Sequence, residues 1–572
     1  MELTRTPDVP VPPRRFLAAD FDPADRAAFD AVVKSLLDRP VATPAELRRF
    51  IEDWGELGSA YWGEWARRLI AMNRDTRDKG LVQSYRDYQQ GISPAWQRAD
   101  DALSRKYLAS KARGDLGAGF VVFDRKQENA AALFREENVE LSTKAEEVGA
   151  GYQQVMGGIT VEYRGKTLTR EQCGALLQET DRAAREEAWR ARADRMAEER
   201  DKIDGLLDEV VGLRHAMAKN AGFDSYADFR FRQMERFDYT PEDCRSYHAA
   251  AEKVVVPALR ELRERRRKTL GLDALRPWDL EVSLVGAPPR DLFQDQADLE
   301  TLLGRIFRAV DPVFAADFDI LVRNGLLDLM TRPGKAPGGY NCPVEDIRLP
   351  FIFWNAVGRR GDLRVMLHEG GHAFHTLAVR NNPVLQYRHA PTEFSEVASM
   401  AMELLGFERL EGILDDDELR EFTHQQFEGI LGILAHVALV DAFQAWMYGN
   451  PKHTREERAT KWRELSRRFQ PGIDMAGLES YARIGWQRIP HLFTHPLYFI
   501  EYGIAQIGAL QVWRSEKRDH AGAVKAYRKA LALGGSRPLP ELFEAAGIRF
   551  AMDEAILKDL VPDVLARIPN GG

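Results

Sequence analysis

A mainly α-helical protein with one small β-sheet is the fold class that the sequence predicts. Three observations point there. Apolar residues recur at i, i+3, i+4 and i+7 between long charged stretches through most of the 572 residues, most clearly over 180–218. Strand signals are confined to two short stretches. The composition, 44% hydrophobic and 29% charged, is that of a globular chain able to bury a large core.

The N-terminal stretch "MELTRTPDVPVPPRRF" is polar and proline-rich and lacks the apolar centre of a signal peptide, so residues 1–15 are expected to remain as an extended arm. A helical N-terminal region follows to about residue 190, and residues 191–572 form a second helical region. Within the first, "GITVEYRGKTLT" (158–169) reads as a hairpin turning at Arg164 and Gly165. The basic run 260–270 is broken by glutamates and reads as a solvated helix face. Segment 330–346 is dense in Gly and Pro and is expected to be a loop, whereas "RLPFIFWN" (348–355) is expected to be a strand. The longest apolar run, 429–440, is shorter than the roughly 20 residues a membrane span takes and reads as a buried helix.

Charge and cysteine usage narrow the function classes. Lys and Arg total 80 against 88 Asp and Glu, a net charge of −8 with both signs interspersed, which offers no footprint for nucleic acid or an anionic membrane. Cys173, Cys244 and Cys342 lie too far apart to suggest a disulfide framework, which points to a reducing, cytosolic compartment.

The chemistry concentrates in "MLHEGGHAFH" (366–375), which holds three of the chain's 12 histidines. His368 and His372, four apart, share one face of a helix a single turn apart and so reach one metal ion. Chance matches to HExxH number roughly 0.02 per chain of this composition. Zinc suits two imidazoles and a carboxylate, leaves a position for water, and lowers that water's pKa to about 7. Glu369 is placed to take its proton. The apolar flanks argue against a solvated helix face, because buried polar groups need partners. Gly370 and Gly371 weaken the same turn by about 0.5–1 kcal/mol each relative to alanine. Two readings of Gly371 stay open: close approach of another backbone, that of segment 348–355 or of a bound substrate, or tight helix–helix packing. Downstream, segment 390–407 carries Glu393, Glu396 and Glu403 on a second helical pattern. Glu396, 24 residues after His372, leaves room for a returning helix, and Glu403, two turns on, is placed to hydrogen-bond a ligand imidazole. Glu393 reads as a surface residue.

These residues resemble the thimet oligopeptidase and oligoendopeptidase F family of zinc metallopeptidases, nearest its oligoendopeptidase F branch. "DLRVMLHEGGHAFH" is similar to the family's metal-binding helix and "EFSEVASMAMELL" to its third-ligand helix; segments 437–451 and 488–510 resemble later parts. Gly370 stands where the family commonly has a bulky apolar residue, and the segment near His495 has less glycine than the family's flexible loop. The resemblance implies a two-lobed helical metallopeptidase with a deep central channel, the small sheet beside the HExxH helix, and one Zn²⁺ per chain on His368, His372 and Glu396. It also implies Glu403 behind the ligands, Glu369 as general base, and His491, Tyr498 and Tyr502 on the substrate side. The substrate would be a short peptide cut at an internal bond. It would add to "PFIFWN" as an edge strand, with Gly339, Tyr340, Phe351 and Phe353 contacting it. The alternatives are a zinc carboxypeptidase of similar build and an inactive peptide-binding relative.

Overall fold

The computed structural model describes residues 7–284, 291–332 and 334–569. It is mainly helical, 69%, with two small sheets among the described residues. Its contacts divide the chain into two compact units: Met1–Glu136, Arg290–Leu410 and Gly508–Phe550 form one, and Glu137–Pro289, Glu411–Ile507 and Ala551–Gly572 the other. The division expected near residue 190 is therefore corrected. That position falls inside the helix Arg182–Glu198, and each unit is assembled from three separated segments, an arrangement that local composition does not signal.

In the second unit the predicted hairpin is present. β1 (Thr160–Tyr163) pairs antiparallel with β2 (Lys166–Thr169). Arg164 and Gly165 have φ of 49° and 77°, the left-handed pair that matches a two-residue turn to the twist of its strands. The 34-residue helix Asp416–Gly449 contains the apolar run and is long and apolar enough to cross a membrane by length and composition. Two-thirds of that window is buried inside the protein, so its apolar surface is core. Segment 260–270 lies on the helix Val256–Thr269 up to its C-cap, Leu270. It is not wholly solvated: Arg266 is buried, donating to the Val282 carbonyl and pairing with Glu428 at 3.0 Å.

The first unit carries the sheet next to the histidine helix. β3 (Leu327–Met330), β4 (Tyr340–Val344) and β5 (Leu349–Ala356) are ordered β3-β5-β4, with β3 parallel and β4 antiparallel to β5. Two expectations are corrected. Part of the supposed loop 330–346 is strand β4, in which Pro343 is tolerated because the strand lies at the edge of the sheet. β5, expected at the edge, is instead the central strand, bonded on both sides. A near-continuous burial pattern along it is what a central strand requires.

The stretch between β3 and β4 is pinned by buried charge. Asp328 on β3 accepts from Arg74 at 2.9 Å, Arg332 at 2.6 and 2.7 Å and Lys335 at 2.8 Å. Burial works against the Asp328 carboxylate, but Arg332 and Lys335 outweigh it and hold the group down at about 2. Lys335 also caps the carbonyls of Asp328 and Met330 and lies 4.4 Å above the Phe353 ring. The N-terminal arm, expected to be extended, is irregular over 7–15 and docked, with Asp8 on Arg323 and Asn324 and the Pro10 carbonyl on Arg380. Its residues 1–6 lie outside the described residues.

Candidate metal centre

The histidine helix (Arg360–Val379) starts directly after β5, and a single aspartate sets the joint. Asp362 accepts from the amides of Val357 and Arg359 at 2.9 and 2.8 Å, capping the helix, and from the Trp354 indole on β5 at 3.0 Å. The sheet thereby fixes where the helix points. Against it packs the glutamate helix (Thr392–Phe407).

The glycine pair explains how close that packing is. A β-carbon on Gly371 would lie 2.5 Å from the Ala398 carbonyl oxygen and 2.6 Å from Ser399 Cα. The approaching backbone is thus neither segment 348–355 nor a ligand; the second reading, tight helix–helix packing, is the correct one. At Gly370 the added carbon would meet the Phe307 ring at 2.6 Å. Phe307 supplies from a neighbouring helix the bulk that the resemblance places at 370.

That contact brings the three expected ligands together. The ligand atoms of His368, His372 and Glu396 all lie within 4.8 Å of one another. Glu396 Oε2 is 3.4 Å from His368 Nε2 and 3.7 Å from His372 Nε2, and the two imidazoles stand nearly perpendicular, 4.9 Å apart. Glu403 Oε1 lies 2.7 Å from His368 Nδ1, which leaves Nε2 turned toward the cluster. Ser399 donates to Glu396 Oε2 at 3.0 Å.

The electrostatics match a site for a dication. Three carboxylates and two imidazoles share a small buried volume. Burial raises Glu369 to about 7, the His368 charge opposing this and Glu396 and Glu403 pushing it further. Burial alone would depress His368, yet the Glu403 hydrogen bond and the three carboxylates lift it to about 9. His372 is pulled down by burial to about 4, which keeps its imidazole neutral and ready to ligate. Glu369 Oε2 is buried without a hydrogen-bond partner among the described residues, which leaves one acceptor in the site for a further group. Donor types, separations and this orphaned oxygen fit a metal ion.

Other predicted residues fall as follows. His491, Tyr498 and Tyr502 form one half-buried cluster in the second unit. The His491 ring is 5.7 Å from Tyr498 and 5.9 Å from Tyr502, and the Tyr502 hydroxyl is 3.4 Å from His491 Nε2. Phe351 and Phe353, expected to contact substrate, are 1% and 0% exposed. They are corrected to core residues because a central strand buries both faces. Tyr340 is half-buried and stacks on Phe353 at 5.0 Å, and Gly339 is exposed, packed so closely on Trp354 that a β-carbon would lie 2.0 Å from its ring. Glu393, expected at the surface, is 3% exposed. It occupies the first turn of the glutamate helix, where unsatisfied amides favour a carboxylate. His375, the third histidine of the motif, is buried against Phe394 and pushed down by burial to about 3, a core residue rather than a ligand. Sequence reasoning did not single out Ser399, although its spacing three residues after Glu396 is a signal, nor Asn341, whose side chain reaches the Glu369 carbonyl at 3.5 Å.

The chain is similar in sequence and in fold to known peptidases. A model of peptidase family M3 matches residues 175–562. Oligopeptidase PepF of Bacillus subtilis (strain 168) is 24% identical over 307 residues, 53% of this chain and 45% of that protein. An oligoendopeptidase F homolog of Lactococcus lactis subsp. lactis (strain IL1403) is 22% identical over 390 residues, 67% of this chain and 62% of its own. The chain thus spans about half to two-thirds of the length of these relatives. Among solved structures, PZ peptidase A with inhibitor 2 is similar with a TM-score of 0.89 and 25% identity, covering 96% of this chain and 97% of the other. Oligoendopeptidase-F from Enterococcus faecium shares the fold, with a TM-score of 0.63 and 15% identity over 95% and 98% of the two chains.

Proposed function

The chain belongs to peptidase family M3, and from that premise we propose that it is a zinc-dependent endopeptidase that hydrolyses internal bonds of short peptides, with one zinc per chain. The observation that carries the reading is the convergence of His368, His372 and Glu396 within 4.8 Å, next to a carboxylate, Glu369, whose Oε2 has no hydrogen-bond partner among the described residues. Bound there, zinc supplies a Lewis acid and brings the pKa of water into the neutral range.

The chain's own residues do the rest. Glu369 takes the proton of the attacking water at Oε2 and returns it to the leaving amine. Its elevated pKa suits both directions of transfer near neutrality. Glu403 holds the His368 ring by Nδ1, which fixes the tautomer that presents Nε2. Tyr498 and His491 donate to the oxygen that becomes negative as the carbonyl is attacked, a role supported by their being half-buried donors gathered in one cluster. The edge strand β4, which begins at Tyr340 beside Gly339, replaces β5 as the strand to which an extended peptide adds by main-chain hydrogen bonds. Recognition of that kind reads backbone, so broad sequence tolerance follows. The three buried thiols support a reducing, cytosolic setting. The test is Glu369→Gln: turnover should fall by at least about 10²-fold while zinc content is unchanged. Near-normal activity in that variant would overturn the mechanism.

A further inference from the structure

The segment that carries His491 and Tyr498 runs from the short helix His491–Thr494 to the start of the helix Phe499–Arg518. It contains no glycine between His491 and Tyr502. Its conformation nevertheless demands one special residue: Leu497 has φ of 62°, a left-handed conformation that a bulky side chain adopts only when its surroundings impose it. Those surroundings are three arginines. Arg214, on the helix Arg200–Asn220, donates to the Leu492 carbonyl at 2.6 Å and to the Phe493 carbonyl, and to the Tyr448 hydroxyl at 2.8 Å. Arg230, on the helix Tyr226–Gln233, reaches the Pro496 carbonyl at 3.4 Å. Arg236 donates to the Leu497 carbonyl and is paired with Glu501 at 2.9 Å, with both side chains at most 1% exposed. The Leu497 amide is held from the other side by Gln444 at 2.7 Å.

Carbonyls at the end of a short helix lack partners of their own, and a guanidinium fork answers two of them at once. Four of the six carbonyls over 492–497 accept from an arginine, two of them from the one fork of Arg214. A fold that needed only to bury the segment could have used glycine at 497 and apolar contacts. This one surrounds it with buried charge.

We propose that Arg214, Arg230 and Arg236 are positioning residues that clasp segment 492–497 in the single conformation in which His491 and Tyr498 are presented to the reacting carbonyl. The proposal rests on the peptidase reading above for the role of those two donors. In contrast to a loop that samples many states, the donors are pre-arranged, and their contribution belongs to the chemical step rather than to substrate affinity.

The test uses the full-length zinc-loaded protein and two variants. Arg214→Lys keeps the charge and removes the fork. Arg230→Gln removes the outermost and longest of the contacts and serves if the first variant does not fold. Amide hydrogen exchange over 491–502 should accelerate at least tenfold in either variant, with the histidine and glutamate helices unchanged. In the same samples kcat should fall at least tenfold, with KM within threefold and zinc content unaltered. Unchanged exchange over 491–502 in a folded variant would show that the arginines do not hold the segment. Accelerated exchange with kcat within twofold of wild type would show that its order does not serve the reaction. Either result overturns the proposal. A wild-type protein that cleaves no peptide would overturn the peptidase reading instead, and the exchange rates would still decide the clasp.

Discussion

Gly371→Ala is the substitution whose effect the structure fixes most narrowly. The new β-carbon would sit 2.5 Å from the Ala398 carbonyl oxygen, 2.6 Å from Ser399 Cα and 2.9 Å from the Ala398 carbonyl carbon, all backbone atoms of the glutamate helix. No side-chain rotation relieves such a contact. The Ala398 carbonyl is also tied to the Tyr527 hydroxyl at 2.6 Å, which resists its displacement. With ordinary contact beginning near 3.4 Å, the helices must part by about 0.9 Å. Overpacking of this kind costs about 3 kcal/mol, at the upper end of its usual range because the obstruction is backbone. Better helix propensity returns about 1 kcal/mol. A net loss of about 2 kcal/mol follows. The same opening carries Glu396 away from His368 and His372 by several times the roughly 0.2 Å that a metal site tolerates. Zinc affinity, measured by competition with a chelator, should fall at least tenfold, and thermal unfolding should shift down in parallel. A variant that binds zinc as tightly as wild type and unfolds at the same or a higher temperature would refute the claim that this glycine sets the spacing of the ligands.

Glu403→Gln retains the shape of the side chain but weakens its hold on His368 Nδ1, and zinc affinity should drop about 10- to 100-fold in the same competition assay; an unchanged value would remove Glu403 from the site. Asp328 yields a prediction about acid. Its carboxyl is near 2 in the folded protein and about 3.9 unfolded, so it contributes about 2 to 3 kcal/mol of stability above pH 4, lost as pH falls from about 4 to about 2. Acid unfolding followed by circular dichroism should show Asp328→Asn less stable than wild type at pH 6, with the gap narrowing steadily below pH 4. A gap independent of pH would mean that Arg74, Arg332 and Lys335 do not hold the charge.

Legibility in the sequence followed the range of the interactions involved. The ligands could be read because each signal is local: a spacing of four from His368 to His372, and two turns between Glu396 and Glu403 on one helix face. The hairpin at Arg164 and Gly165 was legible for the same reason. Strand β4 was not, because its stretch begins in Gly and Pro and contains Pro343, and only its place at the edge of a sheet makes that composition acceptable. The central position of β5, and with it the burial of Phe351 and Phe353, depends on β3, which pairs with it from the far side of strand β4 in the chain and has only four residues. The cost of Gly371 was visible in the sequence, but the helix that required it was not. The two units, each built of three segments, leave no boundary for composition to mark.

The central claim is that this cluster of two histidines and a glutamate holds the zinc of an endopeptidase. The measurement that tests it most directly is the zinc content of the purified protein together with cleavage of an internally quenched peptide blocked at both ends, with and without a chelator. About one zinc per chain and internal cleavage that the chelator abolishes are the predicted result. Zinc without cleavage of the blocked peptide would contradict the endopeptidase and point to a carboxypeptidase or an inactive binder. A protein that holds no zinc would contradict the account at its root.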